Sequence, residues 1–156
     1  MRPILQRVGQ ALNDPTVAAA AGMTPSAWTS PTHVFGGEVG RFIGGRNRGR
    51  LPFIQYKVDG WHFSQESRQG GTVTALVHMI VHVGGKDPLL AGDLAMAITQ
   101  AAVASITDES VDNFVAASRD VRVSPLRQGP WGHEMETTIT VDFSYNEGEF
   151  GVTLPG

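Results

Sequence analysis

The stretch Thr72–Val83 reads TVTALVHMIVHV, and Gly84–Ile98, GGKDPLLAGDLAMAI, follows it directly. In the first segment Val73, Ala75, Val77, Met79, Val81 and Val83 alternate with Thr72, Thr74, Leu76, His78, Ile80 and His82. A period of two belongs to a strand. The first set predicts a core face. The second is mixed and predicts a face toward solvent or a neighbouring subunit. Gly84 and Gly85 end the strand. Asp87 then supplies a helix N-cap, with Pro88 just inside the first turn. The helix is expected to run to Ile106, burying Leu90, Leu94, Ala97, Ile98, Ala101 and Ser105. Its many small residues allow close approach to a sheet.

Upstream, Leu51–Val58 (LPFIQYKV) reads as a strand in which Ile54, Tyr56 and Val58 alternate with Gln55 and Lys57. Asp59-Gly60 is a tight-turn signal, so Trp61–Ser67 is expected to return as a separate strand before a loop at Arg68–Gly71. Downstream, Asp108 is a candidate cap for a turn containing Val111, Phe114 and Val115. Arg119–Ser124 reads as a strand and Pro125–Gly132 as a loop. In His133–Tyr145, Met135, Thr137, Ile139, Val141, Phe143 and Tyr145 oppose Glu134, Glu136, Thr138, Thr140, Asp142 and Ser144, giving one buried and one polar face. At the start, Ile4, Leu5, Val8 and Leu12 stripe one side of a helix over Arg2–Leu12, stopped by Asn13, Asp14 and Pro15. Thr16–Thr32 reads as an irregular crossing with a helical turn at Val17–Ala21, and His33–Phe35 as a short strand. Gly36–Arg50 is expected to be a flexible loop and residues 147–156 a mobile tail. The sum is one α+β domain over residues 1–156, a mostly antiparallel twisted sheet with α-helices packed on one face.

Composition narrows the function classes. The 156 residues suit one domain with its own core. Apolar residues make up 41%, near the globular norm, but charged residues only 17%. So sparse a set of charges suits a subunit that buries surface against neighbours. A net charge of −3 argues against a dedicated nucleic-acid binder. With no cysteine, disulfides, thiolate metal sites and cysteine nucleophiles are excluded. The apolar run at the N-terminus is too short for a signal peptide, and no apolar stretch is read as reaching the ~20 residues of a membrane span. The expectation is a soluble protein with no membrane partner.

No catalytic motif is legible: there is no G-x-S-x-G, no phosphate loop and no H-E-x-x-H. His78 and His82 share a strand face about 13 Å apart at a rise of ~3.3 Å per residue, too far to hold one metal ion. They read as strand-face or interface histidines, and Ile80 lies between them. Glu134 and Glu136 read as a solvated face. In Gly36–Arg50, six glycines accompany Arg41, Arg46, Arg48 and Arg50, with Phe42 and Ile43 at the centre. Arginine forks bind carboxylates or phosphates. The loop is therefore a candidate subunit-interface arm, with a solvated loop and a DNA contact as the other readings. Trp131, between Pro130 and Gly132, is a candidate interface anchor or a cap folded back on the core.

The order of elements carries a resemblance. An amphipathic helix precedes LPFIQYKV, then the long strand TVTALVHMIVHV, the small-residue helix GGKDPLLAGDLAMAI and the closing strand METTITVDFSYNE. This layout, over residues 2 to 147, is similar to the tail terminator, or tail completion, proteins of long-tailed bacteriophages. The resemblance is one of layout and strand texture, and the Gly/Arg stretch and the Thr16–Thr32 crossing are longer than that layout needs. It implies a virion protein assembled in the host bacterial cytoplasm. It implies a homo-hexameric ring on the tail tube protein that stops tube growth and offers a surface to the head–tail connector and neck proteins. Genomic DNA would pass through the lumen unread, and no cofactor or enzymatic step is implied. The alternatives are another neck or head-closure subunit, a small ligand-binding or enzymatic α+β domain, or a nucleic-acid-binding accessory protein.

Overall fold

The computed structural model describes residues 2–29, 33–36, 51–67, 70–107, 116–129 and 132–146. The expected arm between Gly36 and Arg50, the turn after Asp108, and the tail at 147–156 lie outside the described residues. The elements are α1 (Arg2–Leu12), α2 (Pro15–Ala20), β1 (Val34–Gly36), β2 (Phe53–Ser67), β3 (Gly70–Val83), α3 (Pro88–Ile106), β4 (Ala116–Val123), β5 (Arg127–Gly129) and β6 (Gly132–Asn146). They form one sheet in the order β1-β2-β3-β6-β4, with β5 also paired to β6. Among the described strands only the β1–β2 pair is parallel. The architecture is α+β, as expected.

The long alternating strand is the centre of the sheet. β3 pairs with β6 from Gly70↔Asn146 to Val83↔His133 without a break in register. Its inner row, Val73 through Val83, is buried, as are Met135, Thr137, Ile139 and Val141 beside it. Gly132, at φ 151°, lies where a Cβ would come 2.5 Å from the Val83 carbonyl oxygen. Only glycine lets the start of β6 close onto the end of β3 there.

Three expectations are corrected by the partners each element finds. Arg127–Gly129, inside the expected loop Pro125–Gly132, is drawn into the sheet as β5 by pairing with the start of β6. Asp59-Gly60 is not a hairpin turn. β2 continues through it, and the register slips between Val58 and Gly60, leaving Asp59 as a bulge. The fourteen residues of β3 offer a template long enough for both predicted strands to pair as one. The buried stripe of α3 is also rotated. Ala91, Ala95, Ile98, Thr99, Ala102, Ser105 and Ile106 face the core, while Leu90 is 67% exposed. The alanines win because they allow the helix to lie close to the strands. A helix apolar on nearly every side gives the sequence no clear phase. By length and composition α3 would also qualify as a membrane span, contrary to the expectation of no such stretch; Asp93 is its single charge. Its inward side belongs to the protein core.

Capping and side-chain links fix the helices. Asp87 accepts from the Leu89 amide at 2.9 Å and Asp14 from the Thr16 amide at 2.9 Å. The Ser105 hydroxyl donates to the Ala11 carbonyl at 2.8 Å, satisfying an end-of-helix acceptor of α1 from α3. Trp28 is buried in the irregular crossing, donates its indole N–H to Leu12 O at 2.8 Å and stacks on His33 at 5.3 Å. The crossing is thereby bolted to the core.

The rotated helix face gives a direct expectation. Ile106→Ala, on the observed face but outside the stripe read from sequence, should destabilise the fold by about 2–5 kcal/mol, and Leu90→Ala by less than about 0.5 kcal/mol. Urea denaturation of both variants checks it, and the reverse ranking would restore the stripe read from sequence.

Candidate functional site: the polar face of the sheet

The sheet face away from the helices holds most of the described titratable side chains, and the strand register sets their order. β3 places Leu76, His78, Ile80 and His82 there. β2 supplies Phe53 opposite His82, Gln55 opposite Ile80 and Lys57 opposite His78. β6 supplies Glu134 opposite His82, Glu136 opposite Ile80 and Thr138 opposite His78. The chain turns between Gly129 and Gly132, which brings Arg127 of β5 opposite Glu134. A Cβ on Gly129 would stand 2.5 Å from Glu134 Oε2, so this glycine leaves the carboxylate room.

The result is a polar ladder across four strands. Lys57 Nζ meets Asp59 Oδ1 at 2.9 Å. The other Asp59 oxygen lies 3.7 Å from His78 Nδ1, and His78 Nε2 lies 3.7 Å from Glu136 Oε2. The Arg127 fork donates from Nε to Glu134 Oε1 at 2.6 Å and from Nη2 to Glu136 Oε1. Glu134 Oε2 is 3.5 Å from His82 Nδ1, and His82 Nε2 is 2.7 Å from Gln55 Oε1. Asp142 accepts from the Thr74 hydroxyl at 2.6 Å farther along the same face.

One end of this face is dry. Phe35, Phe53, Gln55, Ile80, His82 and Glu134 are all buried. His82 stacks on Phe53 at 4.3 Å, and Phe53 meets Phe35 edge-on at 5.4 Å. Burial, and secondarily the Arg127 cation, push the His82 pKa down to about 4. The ring is therefore neutral near pH 7. Gln55 Oε1 takes its proton on Nε2, and Nδ1 faces Glu134 at a distance longer than a good hydrogen bond. The Gln55 amide nitrogen has no hydrogen-bond partner among the described residues.

Of the residues singled out in the sequence, His78, Ile80 and His82 are brought to this one face, but only His78 remains half-exposed; Ile80 and His82 are buried within the chain. Arg41, Phe42, Ile43, Arg46, Arg48, Arg50 and Trp131 lie outside the described residues. Glu134 and Glu136 do not form a simple solvated face, since Arg127 clamps both and Glu134 is buried. Arg127, Gln55 and Asp59 were not legible as site residues. The one available signal was the Gly129–Gly132 spacing, which sets Arg127 opposite Glu134. His78 and His82 turn their nitrogens to separate partners, so each ring is held singly. Among the described residues no cluster of three or more histidines and carboxylates is placed to hold a metal ion.

Neither a scan against protein-family models nor a search of curated proteins returns a match.

The buried imidazole makes stability depend on pH. In the unfolded chain His82 takes a proton near pH 6.5, whereas in the fold it resists until about pH 4. Its contribution is fully present above pH 6.5 and is lost as the pH falls toward 4, by up to ~3 kcal/mol. Urea midpoints at pH 7 and pH 4.5 should show this loss in the native protein and a smaller one in His82→Gln, which cannot titrate. An equal loss in both would place the acid sensitivity elsewhere.

Proposed function

We propose that this chain is a tail terminator of a long-tailed bacteriophage, a structural subunit and not an enzyme. It closes into a ring, expected to be a hexamer, on the end of the tail tube. There it stops addition of further tube subunits and presents a docking surface to the neck proteins. DNA passes through the lumen without being read, and the assembly works in the virion after forming in the host cytoplasm. Two lines support the reading. The first is the order of elements: an amphipathic helix, a long central hairpin, a helix of small residues, and a closing alternating strand. The second is the side chemistry. The polar groups of the sheet face are engaged with one another as a structural ladder, an arrangement suited to holding shape.

The observation that carries the reading is the surplus of apolar surface on α3. Leu89 and Leu90 are 79% and 67% exposed at its first turns. An apolar helix with leucines facing out is what a subunit has before its neighbours cover it. Ring closure is heterologous, so these leucines would meet a different surface of the next subunit.

Oligomeric mass over a wide concentration range, with electron micrographs of the same samples, tests the proposal. Rings with a central hole are expected from the native chain. Leu89→Glu with Leu90→Glu should leave folding intact and abolish the rings. A native chain that stays monomeric and also fails to stop growth of purified tail tubes would remove the reading.

A further inference from the structure

The sheet's β4 edge has features that the ring does not account for. β4 pairs with β6 on one side, and no described strand pairs with its other side. Its inner-row residues Val121 and Val123 are 38% and 40% exposed, although their partners Ile139 and Thr137 are buried. Its outer row carries Asp120 and Arg122, which pair with each other at 3.0 Å and are largely exposed. An open strand edge offers a row of backbone donors and acceptors to another strand. Charges on such an edge usually repel a second copy. Here they have opposite signs and flank a valine symmetrically, in the order Asp120-Val121-Arg122.

We propose that β4 is the edge through which two copies of this chain pair antiparallel about Val121, joining their sheets into one. The charges select that register. Centred on Val121, each Asp120 lies directly opposite the other copy's Arg122, and the two valines meet on the inner face. Side chains directly opposite are about 4.5–5.5 Å apart, close enough for ion pairs and for valine contact. Centred on Asp120 or on Arg122, like charges stand opposite each other. A half-step between these places charged residues against valines, because it turns one sheet over relative to the other. The contact is isologous, made by the same surface on both copies. It is therefore separate from the heterologous contacts of a ring and does not rest on that reading.

The chain has no native cysteine, so Val121→Cys in the full-length protein reports the contact directly. Under a mild thiol oxidant at low salt, V121C is expected to form a disulfide-linked dimer at least ten times faster than L76C, a control at an exposed position away from the edge. Adding D120R puts two cations at the outer-row positions 120 and 122, and adding R122D puts two anions there. Each alone should lose the cross-link about ten-fold or more, and an equimolar mixture of the two should regain it as the mixed dimer. Circular dichroism and thermal midpoints matching the native chain establish that the exposed substitutions leave the fold intact. Cross-linking of V121C no faster than the control would overturn the proposal, as would a mixture no better than either charge variant alone. Rings in micrographs without the Val121 cross-link would overturn this inference and leave the ring reading standing. The cross-link without rings would support this inference and leave the ring reading to the tube-growth test.

Discussion

The burial of the inner row of β3 is the constraint on which the remaining structure depends. Six alternating residues from Val73 to Val83 lose all contact with water, and that happens only if β2 and β6 flank the strand along its length while helices cover it. The unbroken β3–β6 register follows, because a slip of one residue would turn every valine outward. The close seat of α3 follows as well, since Ala91, Ala95 and Ala102 bring its axis toward the strands where leucines would hold it off. Apolar burial of this kind is the largest favourable contribution to folding. Its geometry also sets where the polar groups on the opposite face must lie.

That opposite face is built in two halves. Toward the ends of β2 and β3 where Phe53 meets His82, aromatic rings and Ile80 exclude water, and a histidine, a glutamine and a glutamate are buried among them. Isolated, such groups would be costly. Their cost is offset by partners: Gln55 for His82, and Arg127 for Glu134 and Glu136. The other half, with Lys57, Asp59 and His78, stays partly wet; there Lys57 meets Asp59 at 2.9 Å and His78 stands 3.7 Å from the same carboxylate. The bulge at Asp59 serves this half, placing a carboxylate between Lys57 and His78. Arg127 ties the short β5 to β6, so the ladder also fixes the hairpin that leads into the closing strand.

Surface chemistry separates the two proposed assembly contacts. α3 brings bulky apolar side chains to the surface with only one charge along its length, a poor discriminator of register but a good one of partner shape. β4 brings a charged row and a backbone edge, a poor source of apolar area but a strict selector of register. The ring reading depends on the first and the two-fold pairing on the second, so each contact can be lost without the other.

Much of the fold was legible because its signals are local. The alternation in Thr72–Val83 and His133–Tyr145, the Asp87-Pro88 helix start, and the stop at Asn13-Asp14-Pro15 each depend on a few neighbouring residues, and each element stands where expected. Less of the candidate site was legible. His78, Ile80 and His82 were placed on one face correctly, since strand alternation alone decides that. Their burial was not readable, because it depends on Phe35 and Phe53 arriving from other strands. Asp59-Gly60 looks locally like a turn and becomes a bulge only because β3 continues past it. The phase of α3 was hidden by its apolar residues on every side and was decided by which side could approach the sheet. Glu134 looked solvated until Arg127, seven residues away, reached it across the Gly129–Gly132 turn. The sequence by itself determined the helices and the long strands β3 and β6, since periodicity and capping are properties of short stretches. Tertiary structure alone decided bulge, helix phase and ladder, because each is settled by a partner whose position depends on the register of the whole sheet.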